Sequence, residues 1–594
     1  MTTPNDREVL ELSNDMQGDE LTFASRQEIW INDTNGGSYG QNGQIVFDLS
    51  QLKNNQQSIN FKDSLLAIPN IIEATLATPL AAAVPYNDFL VMPKNGSFNC
   101  IENISINIDG VEVSIAAQHL APYLHYKMLN QAGSNDLSSV LQSYNYYPDT
   151  PDSIQFQPTA AQANTPYLGE ANNAVVGGNV NQFLGGWNGY QAVNDGRNRR
   201  LAKSNFNPVS NTAANALTTG GFCQTVNKDY VKANGTMATP NQYCYMLIIK
   251  LGFLHDVFEK LPLISGANIK MTINTNLVST CVINYAYAAS TTSTTPYSIT
   301  SITPTTPYNK LPFQVSQPIG TVPYLDMTTA PPLASVAGNV VHKDVYSWGQ
   351  TANNILTINS YIAKSATINT GSAFQGINAA RLCLISYTFT PEAQIKYLTL
   401  HSQPKRVVYN DVQTVLLTSS MTGLVAQNPP APITIQNLLT SNLARVKALL
   451  IVPYIAASSN GGISPLNSPF TGTNIAPYVK WTGMNVNVNG SPHFRTSQNY
   501  GFEHFIQEIK QYKSINGSET LGLSSGLLSQ HMWETGYPYF FVDLTRADDL
   551  RDINVAKSYQ IVGNVMSPVA LDLYCYLIYD REFKIDVKSG QLST

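Results

Sequence analysis

Ile104 to Gly110 reads ISINIDG and, far downstream, Met484 to Gly490 reads MNVNVNG. In both, apolar and polar residues alternate with period two, the pattern of a strand with one buried face, and each run ends in Asp-Gly or Asn-Gly, the strongest short-range signal for a tight hairpin. An amphipathic helical pattern follows each. Ala116, Leu120, Tyr123 and Leu124 mark its apolar face in the first copy; Phe502, Phe505, Ile506 and Ile509 mark it in the second. Upstream of each copy, at nearly the same separation, SINFKDSLLAIPNIIEATLATP ending at Pro79 resembles TIQNLLTSNLARVKALLIVP ending at Pro453. Two matches in the same order point to one β-rich unit present twice.

The copies differ in what lies between their strands. After the first helix, about Gln131 to Val231 is dominated by Asn, Gly, Ala, Thr, Gln and Tyr, and a second tract, Ala289 to about Val341, is rich in Thr, Ser and Pro. Such lengths without periodicity read as surface insertions, and the Thr-rich tract also fits a mucin-like stalk. The segment Tyr243 to Leu277 between them reads as a strand, a short helix around Leu254 to Lys260 and an alternating strand, Ile269 to Ile273. INAARLCLISYTFTPEAQIKYL, ending at Leu398, closes the first unit; VALDLYCYLIYDREFKIDV, ending at Val587, is its counterpart in the second. The boundary is expected near His401 to Lys405, just before the strand-like KRVVYNDV.

The 594 residues are too many for one ordinary core, and 43% hydrophobic and 10% aromatic residues exclude wholesale disorder. Only 12% are charged, about half the usual quarter, and the net charge of −5 provides no global footprint for gripping nucleic acid or anionic lipid. The acidic, polar start MTTPNDREVLELSNDMQGDE has neither the basic nor the apolar part of a secretory signal. Ser64 to Tyr86, the most apolar region, is interrupted by Pro69, Asn70, Glu73 and Pro79, so no membrane span is expected. The cysteines, Cys100, Cys223, Cys244, Cys281, Cys383 and Cys575, are dispersed without a CxxC pair and read as buried thiols rather than disulfides or a zinc site.

These residues carry a family resemblance. The paired strand, Asx-Gly turn and helix, the segment Leu251 to Ile273 around Leu261-Pro262-Leu263, RLCLISYTFTPEAQIKYL followed by KRVVYNDV, and GYPYFFVDLTR at Gly536 to Arg546 together resemble the double jelly-roll major capsid proteins of the virophage and Polinton-like virus branch. The order of the motifs and the total length carry the likeness, which spans most of the chain outside the two insertions. It implies an all-β fold of two eight-stranded antiparallel jelly rolls side by side, with short helices and long loop insertions in the first. It implies an N-terminal arm at 1–26, a first jelly roll at 27–402 with outer towers from the insertions at about 131–231 and 289–341, and a second jelly roll at 403–594. It further implies a pseudo-hexameric homotrimer that tiles the icosahedral shell of a double-stranded DNA virus, meeting neighbouring capsomers and penton and minor or cement capsid proteins. The location would be the virion, assembled inside the host cell.

Candidate chemistry is sparse. GLSSG at Gly522 to Gly526 fits the nucleophile-elbow pattern with Ser524, but the preceding INGSET is not an apolar strand and no acid lies between Ser524 and the last histidine, His531. A loop serine is the expectation. His119, His125, His255, His342, His401, His493, His504 and His531 are scattered, and His504 with Glu508 reads as a helix-surface pair, since two ligands make no zinc site. His255, in an apolar stretch, reads as a structural histidine. The basic cluster Arg197, Arg199, Arg200 and Lys203 falls in the first insertion and reads as surface or trimer contacts rather than a genome site. The sequons at Asn32 and Asn234 read as turn residues. No catalytic, cofactor-binding or metal residue is expected, no cofactor and no specific nucleic acid. The expected role is structural, not enzymatic; the rival reading is a multidomain β-sandwich adhesin whose loop aromatics would stack on glycans.

Overall fold

The alternation in ISINIDG becomes a one-faced strand: along Ile101–Ile108 the buried positions include Ile104, Ile106 and Ile108, while polar neighbours are more exposed. The chain then turns through Asp109 and Gly110 at φ 50° and 87°, and Ile108 pairs directly with Val111. In the second copy Asn489 and Gly490 turn at φ 50° and 80°, and Val488 pairs with Ser491. Positive φ at both central residues gives the hairpin twist that matches its strands, and Asp, Asn and Gly reach it at least cost.

The structure, a computed structural model, describes residues 22–40, 43–50, 57–77, 90–114, 118–137, 139–148, 223–225, 241–266, 268–287, 297–305, 310–316, 323–325, 342–344, 354–362, 379–418, 432–456, 473–476, 478–515, 526–545, 554–567, 570–587 and 590–593. In the first unit the elements are β1 (Phe23–Asn32), β2 (Gln44–Asp48), β3 (Ser58–Leu76), β4 (Ile101–Ile108), β5 (Val111–Ser114), α1 (Leu120–Gln131), β6 (Asn241–Lys250), α2 (Asp256–Lys260), β7 (Ile269–Thr275), β8 (Ser279–Tyr287), β9 (Tyr297–Pro304), β10 (Asn354–Ile362) and β11 (Arg381–Phe389). Helix α3 (Pro391–Leu400) leads into the second unit, which holds β12 (Lys405–Leu417), β13 (Ile433–Leu443), β14 (Val446–Ile455), β15 (Lys480–Val488), β16 (Gln498–Tyr500), α4 (Phe502–Ile515), β17 (Phe540–Asp543), β18 (Lys557–Met566) and β19 (Leu571–Ile585).

Pairing is antiparallel, and its order repeats. One sheet of the first unit runs β1-β11-β3-β6 and the other β2-β7-β4-β5; the second unit runs β12-β19-β14-β17 and β13-β18-β15-β16. Counting β8, β9 and β10 as insertions, each unit has strands one to eight in the sheet orders 1-8-3-6 and 2-7-4-5. The two motifs that opened the sequence both lie on strand four. The fold is a double jelly roll.

The inserted strands explain the 19-residue length of β3: its first part, Ser58 to Ala67, pairs with β11, while Asn70 to Leu76 pairs with β10, which continues to β8 and β9. This also corrects the upstream match. SINFKDSLLAIPNIIEATLATP is one long third strand, whereas TIQNLLTSNLARVKALLIVP covers strands two and three, so the strands correspond only at their ends. The prolines inside the third strands are Pro69 and Pro453; Pro79 lies outside the described residues. Strand β1 begins at Phe23, within the segment 1–26 expected as an arm, because Phe23 pairs with Phe389 and packs its ring on Tyr387 at 4.6 Å. Most of the expected insertions, with Arg197, Arg199, Arg200, Lys203 and Asn234, lies outside the described residues, as does Ala116.

Inner faces of both sandwiches join one contiguous buried cluster, from Ile45, Ile106 and Leu66 in the first unit to Trp481, Phe540 and Ile561 in the second. Gly563 on β18 has φ 144°, and a Cβ there would fall 2.2 Å from Trp481 Nε1, whereas one on Gly490 would meet nothing within 4 Å. Gly490→Ala is therefore expected to cost about 1 kcal/mol, the left-handed strain alone. Gly563→Ala should cost at least twice that, because the indole must move. Thermal unfolding at fixed protein concentration checks the order; a larger drop for Gly490→Ala would contradict it.

Candidate functional site: the seam between the two units

An open sheet leaves a row of unpaired N–H and C=O groups on its edge strand, and β12 is such an edge. The first unit covers it. Asn410 N–H donates to Asp256 Oδ2 at 2.8 Å, so α2 supplies a carboxylate where, among the described residues, no further strand pairs. Tyr409 Oη donates to Val113 O at 2.6 Å, Arg581 Nη1 donates to the same carbonyl at 3.0 Å, and Thr414 Oγ1 donates to Gln118 O at 2.6 Å. Val113 and Gln118, just after the Asp-Gly hairpin, therefore meet the edge of the second unit.

Behind that edge sits a buried ionic group. Asp411 is wholly buried and takes Arg581 Nη1 at 3.1 Å and Tyr579 Oη at 3.1 Å. His255 caps α2: its Nδ1 accepts the Val257 N–H at 3.2 Å, which leaves the proton on Nε2, 3.5 Å from Asp411 Oδ1. That last contact is at the outer limit of hydrogen bonding. Burial alone would raise the Asp411 carboxyl, but His255, the Val412 N–H and Arg581 hold it below the usual carboxylate range.

Helix α1 makes the apolar part of the seam. Tyr123 lies 5.7 Å from Tyr576, Tyr126 lies 5.2 Å from Tyr539 and stacks on Phe541 at 6.0 Å, and His125 stacks on Tyr537 at 5.4 Å. Burial pushes the hydroxyls of Tyr126, Tyr539 and Tyr576 well above their ordinary pKa, so they act as neutral hydrogen-bonding groups. Tyr576 Oη donates to His119 O at 2.6 Å, and Tyr539 Oη lies 2.7 Å from His125 Nδ1. The buried Lys94 reaches across to Asn474 Oδ1 at 2.5 Å. His119 also contacts Glu102, which Lys310 contacts in turn. Burial favours the protonated Glu102 carboxyl, but these partners hold it below its usual range.

The esterase motif finds a structural use at its last residue. Gly526, at φ 72°, sits where a Cβ would be 2.3 Å from Leu129 O and 2.6 Å from Asn130 O, and Leu527 N donates to Leu129 O at 2.8 Å. The glycine lets a second-unit loop close over the end of α1. Ser524 lies outside the described residues. His504 and Glu508 do not form the expected surface pair: Glu508 is buried and accepts the Asp543 N–H at 2.9 Å, while His504 Nε2 lies 3.0 Å from Gln498 Oε1. The reason is the helix face, since Glu508 points at the end of β17. His401 is buried against Tyr397 at 4.4 Å, and Cys100, Cys281, Cys383 and Cys575 are buried thiols. Among the described residues no group of three or more His, Cys, Asp or Glu is placed to hold a metal, and no helix is long and apolar enough to cross a membrane. Sequence reasoning missed Asp411, Arg581 and Lys94; for the first two the available signal was charged residues set beside the apolar runs of KRVVYNDV and YLIYDREF.

No protein-family profile matches the chain, and neither does any curated protein. Among solved structures, it is similar to that of the Sputnik virophage determined by cryo-EM, at 12% identity and a TM-score of 0.46, covering 100% of this chain and 92% of that one. It is also similar to the mavirus major capsid protein (10% identity, TM-score 0.39, 98% and 92% covered) and the Faustovirus major capsid protein (8%, 0.39, 98% and 94%).

Asp411 yields a test of the seam. Its folded pKa is depressed, so its stabilisation is present above the unfolded value of 3.8 and is lost as pH falls through the lower folded value. Asp411→Asn should flatten the fall in stability below about pH 4. At pH 7 it should cost about 3 kcal/mol, because Arg581 loses its buried partner. Urea unfolding at pH 7 and over the acid range checks both; an unchanged acid slope would count against the assignment.

Proposed function

We propose that this chain is the major capsid protein of a double-stranded DNA virus, a building block without catalysis, cofactor or resident metal. The observation that carries the reading is the sandwich present twice in identical strand order, with the second copy's edge sealed by the first. A subunit that already contains two like units forms six of them in a threefold assembly, and we assign it a pseudo-hexameric homotrimer on that ground. The chain divides into an arm at about 1–26, a first jelly roll at 27–402 and a second at 403–594. Its insertions, at about 131–231 and 289–341, would form the outer towers.

Composition supports repeated protein contact. Interface cores are depleted of charge, and only 12% of this chain is charged. Exposed apolar side chains, Trp30, Ile395, Leu400, Leu438 and Val555, are spread over both units and the helix between them. Contacts between neighbouring capsomers can then be individually weak, because tiling multiplies them. Penton and minor or cement proteins are the further partners, the virion is the location and the host cell is where assembly occurs. The adhesin reading lacks similar support: Trp481, Tyr574 and Tyr576 are buried on strands of the second unit, where no glycan can stack on them.

Multi-angle light scattering of the purified chain should give three times the 64.9 kDa subunit mass, persisting on dilution to nanomolar concentration. Negative-stain images should show a three-fold tower on a hexagonal base. A monomer in native buffer would overturn the proposal.

A further inference from the structure

The same edge strand is sealed in one unit and open in the other. In the second unit β12 is buried at Val407, Tyr409, Asp411 and Val412, half-buried along most of the rest, and meets Val113, Gln118 and Asp256 of the first. Its counterpart β1, strand one of the first unit, is exposed along most of its ten residues, pairs among the described residues only with β11, and leaves Trp30 48% exposed under the Arg381 guanidinium at 4.6 Å. A ten-residue edge without proline invites pairing, and here only Arg26 and Glu28 guard it.

The mating surface is likewise present twice. Val113 and Gln118, between the first hairpin and α1, take hydrogen bonds from Tyr409 and Thr414 of β12. Ser491 to Gln498 follows the second hairpin and leads to α4; Ser491, Pro492, Arg495, Thr496 and Ser497 in it are exposed. One socket and one plug are joined inside the chain; the equivalent socket, β1, and, on the equivalent plug, Ser491, Pro492 and Arg495 to Ser497 are exposed, while Phe494 anchors the plug to the core.

We infer that β1 and Trp30 of one copy receive the Ser491–Gln498 segment of a second copy, in a contact that repeats between chains the seam already made within one. The occupant follows from continuity with that seam. It also follows from charge, since Arg495 on the plug complements Glu28 on the socket. The contact is head-to-tail, so it uses different surfaces on the two copies and closes only as a ring. This inference rests on the oligomeric building block proposed above and names the surfaces that join it.

The test is a disulfide across the contact. Glu28→Cys and Arg495→Cys, prepared separately and mixed under mild oxidation, should form a covalent dimer, whereas neither alone should. The double variant should give covalent species up to the trimer on non-reducing gels. A second arm uses Trp30→Glu, which should raise the concentration at which the oligomer dissociates at least tenfold, with the circular dichroism unchanged. An oligomer that forms no cross-link and is indifferent to Trp30→Glu would overturn this inference while leaving the proposed function standing. Cross-linking of Glu28→Cys with itself would also overturn it, since the β1 edges would then face each other. Wild-type chain that stays monomeric would instead sink the proposed function.

Discussion

An antiparallel sheet that does not close on itself has an edge, and the backbone groups there must find partners or water. The second unit depends on how that demand is met at β12. The Asp256 carboxylate takes the Asn410 N–H, and side chains of Tyr409, Thr414 and Arg581 reach carbonyls of a chain segment that never becomes a strand of the sheet. Side-chain donors and acceptors thus end the sheet without extending it. Had Val111 to Gln118 offered a full strand instead, the two sandwiches would merge into one sheet, and the side-by-side arrangement would be lost.

The seam combines two kinds of energy. Tyr123, Tyr126, Tyr537, Tyr539 and Tyr576 remove large apolar surfaces from water, each worth about 1.5 to 3 kcal/mol when fully buried, and supply the bulk of the attraction. The Asp411 group adds little net energy after desolvation but punishes misplacement within the second unit, because a shift of β12 against β19 would leave a wholly buried carboxylate without Arg581. Attraction comes from the rings, and register from the charges.

How much of this was legible in the sequence follows from the range of each signal. Period-two alternation and an Asx-Gly pair are local, so strand four and its hairpin were readable in both units. Strand three was not readable in detail. The middle of β3, LLAIPNII, is apolar without alternation, and a continuous apolar run carries no phase by which to set a register against Thr434 to Pro453. The seam was hidden for another reason. Val113 contributes only its carbonyl, and His255 acts as a helix cap, so nothing in their identity announces the contact. Gly526 was visible as part of GLSSG, but its reason, the backbone of α1 a few ångströms away, lies almost 400 positions earlier in the chain.

Duplication carries a hazard that the differences between copies resolve. Two sandwiches of one strand order present two similar edges, and a folding chain must not confuse them. The edge at β12 carries a buried acid and the Tyr409 hydroxyl, which match only the carbonyls and capped helix of the first unit; β1 carries an exposed Trp30 and an Arg26–Glu28 pair, which water tolerates. Tethering through α3 gives the internal contact a high effective concentration, so it forms in the single chain before any second copy can compete. An edge guarded only by surface charges remains open for whatever binds later. The order in which the edges are covered is therefore written into their chemistry: desolvated ions where the partner is always present, and solvated ones where it must arrive.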